Sequence, residues 1–209
     1  MREPAPRRPQ ERSRMSGHEI AERFAKETAG HEMIVLHDDG LYRHLRFRAP
    51  ESPFYWFDLV TWPGNLAVNG DCGSFMFARV TDMFGFFRGN RINPGYWAEK
   101  VRGETRVKSY SEDKFRRLVA EYFVDAVRYG GTPRGLGKAV CTEILGSDET
   151  YYESGARQVL DEFAFSDFKF HDTWEWDLYD WDWTFLWCCH AIQWGVAQYY
   201  AASKQEAPA

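Results

Sequence analysis

Five short runs of this chain carry residue types that could do chemistry. His37-Asp38-Asp39 sets an imidazole beside two carboxylates, the donor types of a metal or acid–base site, yet Asp-Asp-Gly is also what a hairpin turn prefers. Gly70-Asp71-Cys72-Gly73 puts a thiol on a glycine-flanked bend, as a nucleophile needs, but between strands rather than between strand and helix, and with no base in reach. Cys188-Cys189-His190 offers zinc-binding atoms, but consecutive helical residues point to different faces, so core packing explains them better and no metal or other cofactor is expected. The glycines of YGGTPRGLGK, residues 129–138, suggest a phosphate cradle with Arg134 and Lys138. Their spacing matches no phosphate-loop pattern, and a loop between helices fits instead. Arg43, Arg46, Arg48, Arg88 and Arg91, with Tyr42, Phe47 and Phe87 nearby, could hold a single strand of nucleic acid by charge and stacking.

Charge weighs against that last reading. The chain of 209 residues has net charge −5, and its first fourteen residues contribute five Arg against two Glu, so the remainder is more acidic still, at −8. Direct nucleic-acid binding is therefore not expected. The acidity concentrates late. Between Phe163 and Tyr200 lie fourteen aromatic residues and six Asp or Glu, against one Lys and no Arg. Within it Asp172, Glu175, Asp177 and Asp180 interleave with Trp174, Trp176 and Trp181. Such a segment is either a solvated rim over core rings, or a docking face that offers carboxylates and Trp anchors to a basic groove on a partner.

Elements must position these groups. Ser16 and Glu19 have capping-box spacing for a helix over Gly17 to Thr28 that stops before Gly30. Residues 33–37 and 41–48 read as strands across Asp38-Asp39-Gly40, and the second has one basic face (Tyr42, His44, Arg46, Arg48). Residues 54–62, 66–70 and 74–80 follow as strands, turned at Pro63-Gly64 and Gly70 to Gly73. In this reading the sheet-end turns bring Asp38, Asp39, Asp71 and Cys72 near one another. Helices are expected at 83–88, 94–101, 133–145 and 149–163, with one capped by Ser111 and ending at Gly130-Gly131, and a last one starting near Asp182. Residues 165–170 alternate like a short strand, placed at the sheet edge. Strands followed by helices predict an α+β fold, an antiparallel meander of about five strands packed against a helical C-terminal half.

The organisation expected is a basic Pro/Arg tail over 1–15, disordered in this reading, one domain over 16–202, and a flexible end over 203–209, with Met15 a candidate second start. The uncharged run from Trp183 to Ser203 reads as a buried helix, because His190, Gln193 and Gln198 interrupt it, and no membrane association is expected. Unpatterned cysteines fit reduced thiols in a cytoplasm.

The strings WFDLVTWPGNLAVNGDCGSFMFARVTDMFGFFR, INPGYWAEKV and WEWDLYDWDWTFLWCCHAIQWGVAQY resemble a family of uncharacterised proteins encoded by actinobacterial phages and prophages. The resemblance runs from about His18 to Tyr200 and implies a phage accessory protein acting in a host cytoplasm, with no activity and no catalytic residue attached. The function expected is binding of a host macromolecule, in inhibition of a defence or nucleic-acid-processing protein, through Asp172, Trp174, Glu175, Trp176, Asp177, Asp180 and Trp181. The alternative is a small enzyme or ligand binder built on His37, Asp38, Asp39, Asp71 and Cys72.

Overall fold

The computed structural model describes residues 17–89 and 91–205; the tail, Ser16, Asn90 and residues 206–209 lie outside the described residues. The chain is α+β and divides into two compact units. One comprises the described residues up to Val107 and from Asp182 onward; the other is Lys108–Trp181.

The first unit is a six-stranded antiparallel sheet in sequence order: β1 (Glu32–Asp39), β2 (Tyr42–Arg48), β3 (Phe57–Trp62), β4 (Asn65–Gly70), β5 (Gly73–Ala78) and β6 (Val101–Arg102). Alternation decides its faces. Leu45, Phe47, Phe57, Leu59, Thr61, Leu66, Val68, Phe75 and Phe77 point to one side and are buried. Helix α1 (Gly17–Glu27) and the uncharged α7 (Trp183–Gln205) seal that side. Trp187 meets Phe24 and Phe57 edge-on at 5.1 and 5.7 Å, and Trp194 meets Phe47 at 5.4 Å. Approach is closest at Gly195, where a Cβ would fall 2.7 Å from Leu59 Cδ1 and 3.1 Å from the Phe47 ring. The short helices α2 (Met83–Phe87) and α3 (Pro94–Ala98), capped by Asp82 and Asn93, complete this core through Phe84, Phe87 and Trp97.

Several expectations need correction. The first hairpin turns at Gly40-Leu41, with φ +61° at the glycine, so Asp38 and Asp39 are strand residues rather than turn residues. The third strand begins at Phe57, because Tyr55 takes a left-handed φ of 60°, held by its N–H to Asp71 Oδ2 (2.7 Å) and its C=O to His31 (3.0 Å). The helix expected over 94–101 ends at Ala98, and Val101 instead enters β6 beside Phe77.

The second unit has its own core of Phe115, Val119, Leu136, Ile144, Leu160, Phe163, Phe170 and Leu178. Ser111 Oγ accepts from Lys114 N and starts α4 (Glu112–Gly130), which stops at left-handed Gly131. The glycine loop leads into α5 (Leu136–Ala139), which widens into a π-turn over Val140–Ile144. A 3₁₀ turn, Asp148–Tyr151, precedes α6 (Glu153–Glu162). Residues 165–170 are not one strand at the sheet edge. They belong to a two-stranded hairpin of β8 (Ala164–Phe165) and β9 (Phe168–Lys169), turned at Ser166 with φ 56°. A 3₁₀ turn at Thr173–Glu175 follows, and β10 (Tyr179–Trp181) pairs with β7 (Lys108–Tyr110).

Candidate functional site

The acidic, ring-rich segment lies in the second unit, and it alternates only in part. Thr173 and Leu178 are buried anchors, Trp176 is half-buried against Tyr122 (5.8 Å) and Phe170 (6.2 Å), while Trp174 stands 74% exposed. Arg157 of α6 donates to the Thr173 and Trp176 carbonyls (3.3 and 3.4 Å) and so fixes the turn that carries Trp174. A second segment joins it. Tyr179 Oη donates to Glu153, and Tyr110 Oη donates to the Thr150 carbonyl, which places Asp-Glu-Thr-Tyr-Tyr-Glu (148–153) beside residues 172–181. Tyr151 and Tyr152 are exposed there too. Sequence reading treated 149–153 as helix start and missed this, although the interleaving of acids and rings is the same in both runs.

The carboxylates are not equivalent. Asp177 is fixed by Lys114 Nζ at 2.7 Å and by the Tyr179 N–H at 3.0 Å, and these hold its pKa below the usual carboxylate range. Glu153 is lowered by the Tyr179 hydroxyl and by Arg157. Asp180 lies 3.8 Å from Arg117, and Lys108 sits 4.9 Å over the Trp181 ring. Asp172, at φ 55°, and Glu175 are exposed at the two ends of the Trp174 turn. Residues 148–153 and 172–181 together carry seven acids, Asp148, Glu149, Glu153, Asp172, Glu175, Asp177 and Asp180, and no Lys or Arg; Lys114, Arg117 and Arg157 from flanking elements pair with Asp177, Asp180 and Glu153. Chemically the arrangement offers carboxylate acceptors to hydrogen-bond donors and leaves the apolar area of one indole unburied.

The other candidate set does not assemble. The meander puts Asp38 and Asp39 at the end of the sheet where β1 turns into β2, and Asp71 and Cys72 at the opposite end, where β4 turns into β5. Each has other work. Asp38 accepts from Tyr199 Oη (3.0 Å), and Asp71 holds Tyr55. Cys72 is buried and its thiol is pushed up to about 12 by that burial, with the Glu27 charge adding to it, the reverse of what a nucleophile needs. His37 and Asp39 are exposed on the edge strand. Cys188 and Cys189 are buried in α7, and burial lowers the pKa of His190, which stacks on Phe24.

The basic set is likewise dispersed. Arg43 is only 9% exposed, on the core side of β2, where it pairs with Asp82 at 3.0 Å and lies over Phe84 and Tyr199. Phe47 and Phe87 are core residues. On the open face Arg46 grips the buried Asp58 with two bonds of 2.8 Å, and His44 reaches the same carboxylate at 3.0 Å. Sequence reading missed Asp58. Its signal was an acid alternating outward across from two basic residues, and it offsets the charge of Arg46 on that face.

Among the described residues no three His, Cys, Asp or Glu side chains converge as metal ligands, and no helix is long and apolar enough to cross a membrane. No family model, curated protein or solved structure matches this chain.

Proposed function

We propose that this chain is a binding protein that docks a basic groove of another protein onto the acidic, ring-bearing face around Trp174. The observation that carries the reading is the exposed indole, fixed on a buried-anchored turn and surrounded by carboxylates that outnumber their cations. Trp is the residue interfaces use most as an anchor, and negative potential speeds encounter with a positive partner. The resemblance to phage-encoded proteins makes a host defence or nucleic-acid-processing protein the first target class, met in the host cytoplasm.

The geometry selects which residues to change. Asp177 and Asp180 take part in the unit's own ion pairs, so reversing them disturbs folding as well as docking. Trp174→Ala and Glu175→Lys alter the exposed face and leave the buried anchors Thr173 and Leu178 in place. Tagged wild type should capture a basic host protein whose retention falls as salt rises past about 0.1 M. Trp174→Ala should weaken that complex by about 30-fold or more, as an interface anchor worth 2 kcal/mol does. A captured partner that binds both variants as tightly as wild type, at any salt, rules the reading out.

A further inference from the structure

The two edges of the six-stranded sheet are unlike. β6 has two residues, the short edge by which sheets normally avoid unwanted pairing. β1 has eight, so its free edge runs for about 27 Å, and among the described residues only β2 pairs with it. Its centre carries no protecting charge. Ile34, Val35 and Leu36 are 42%, 51% and 48% exposed, on both faces of the strand, and none of Met33, Ile34, Val35 and Leu36 has a polar side chain. An edge of this kind is a template for another strand, since every second backbone N–H and C=O points outward with water as its only competitor.

We infer that β1 is a self-association edge, pairing antiparallel with β1 of a second copy to continue the sheet across a two-fold axis. Such an axis sets a residue opposite its own copy, which leaves few registers. Centred on Ile34, the pairing puts Ile34 against Ile34 and Met33 against Val35, and Glu32 meets Leu36 rather than a like charge. Centring on Val35 sets Glu32 against Asp38, and centring on Leu36 puts the axis on the residue that is bulged out of the β1–β2 ladder and sets Ile34 against Asp38. The Ile34 register is the one that apolar matching and charge both allow. Residues 33–36 offer no charge or hydrogen-bonding side chain by which a foreign sequence would be chosen, whereas they complement themselves. The contact is small, below the roughly 1,200 Å² of standard interfaces, so association should be weak and reversible, on the order of 10–100 µM.

Sedimentation equilibrium of the full chain from about 5 to 500 µM tests this. Wild type should pass from monomer to dimer and stop there. Ile34→Lys, which sets two ammonium groups face to face, should stay monomeric throughout. Ile34→Thr, which keeps strand preference without the charge, should still dimerise, though more weakly. Amide exchange of the wild type at the two concentrations gives a readout free of any variant: β1 amides should gain protection at the high end, while β6 amides do not. Monomeric wild type up to 500 µM, or a dimer whose β1 amides gain no protection, overturns the inference, and so does a folded Ile34→Lys that dimerises as well as wild type.

Discussion

Gly195→Ala is the sharpest test of how α7 sits on the sheet. In an unconstrained helix interior this change stabilises by about 1 kcal/mol, because alanine loses less backbone freedom. Here the new Cβ would lie 2.7 Å from Leu59 Cδ1 and 3.1 Å from Phe47 Cε2 and Cζ, against an ordinary carbon contact of about 3.5–4.0 Å. Leu59 and Phe47 are fully buried, so neither can swing into solvent. Relief therefore requires α7 to lift or the two side chains to leave their rotamers, an overpacking cost of about 1–3 kcal/mol. The net expectation is a loss of about 1 kcal/mol, or roughly 2–4 °C in Tm for a chain of this size. Leu59→Ala alone should cost about 2–5 kcal/mol through its cavity. The double variant should be less destabilised than the two singles added, by about 1 kcal/mol, since the added methyl enters the space vacated by Cδ1. Urea and thermal unfolding followed by circular dichroism measure all three. A higher Tm for Gly195→Ala, or additivity within about 0.5 kcal/mol, would refute the close approach.

Trp187→Ala should cost about 3–5 kcal/mol and sharply reduce soluble yield, whereas Trp187→Phe keeps most of the packing and chiefly loses the 2.8 Å bond from Nε1 to Glu27, giving a smaller Tm drop. Burial alone would push the Asp58 carboxyl up, but Arg46 and His44 more than offset it and hold its pKa below the usual value, so Asp58 contributes stability above about pH 4 that is lost as pH falls through its lowered folded pKa. Asp58→Asn should cost about 1–2 kcal/mol at pH 7, moderated by the part-exposed Arg46, and flatten that acid limb in a Tm–pH series. In native protein at pH 8 a thiol-reactive disulfide should label Cys141 quickly and leave Cys72, Cys188 and Cys189 slow, because the last three are buried with raised pKa values; fast labelling of more than one thiol would contradict this.

Local signals carried the fold far. Ser111 and Gly131 bound α4 as capping chemistry predicts, Asp182 Oδ1 accepts from Thr184 N (2.9 Å) where the last helix begins, and alternation in β2 to β5 sorts buried from open residues. What escaped depends on partners distant in sequence. Val101-Arg102 has no strand pattern and becomes a strand only because β5 offers an edge. Tyr55 is left-handed because Asp71 and His31 hold it, a constraint no local preference encodes. Arg43 alternates correctly with the core residues of β2, but its tolerance there rests on Asp82, contributed from α2's cap. At the candidate site the Trp-rich run was readable from composition. The joining of 148–153 to it was not, since it depends on the Glu153–Tyr179 and Arg157 contacts.

The order of these elements along the chain bears on synthesis. The sheet of the first unit is complete by Arg102, yet the helix that seals Phe47, Phe57 and Leu59 begins only at Trp183, after the whole Lys108–Trp181 unit. On a ribosome adding about 5–20 residues per second, those side chains stay without their cover for several seconds. The inserted unit, whose core lies within 74 contiguous residues, can fold in that interval. Truncation anywhere in α7 therefore threatens the earliest-made part of the protein rather than the part nearest the cut.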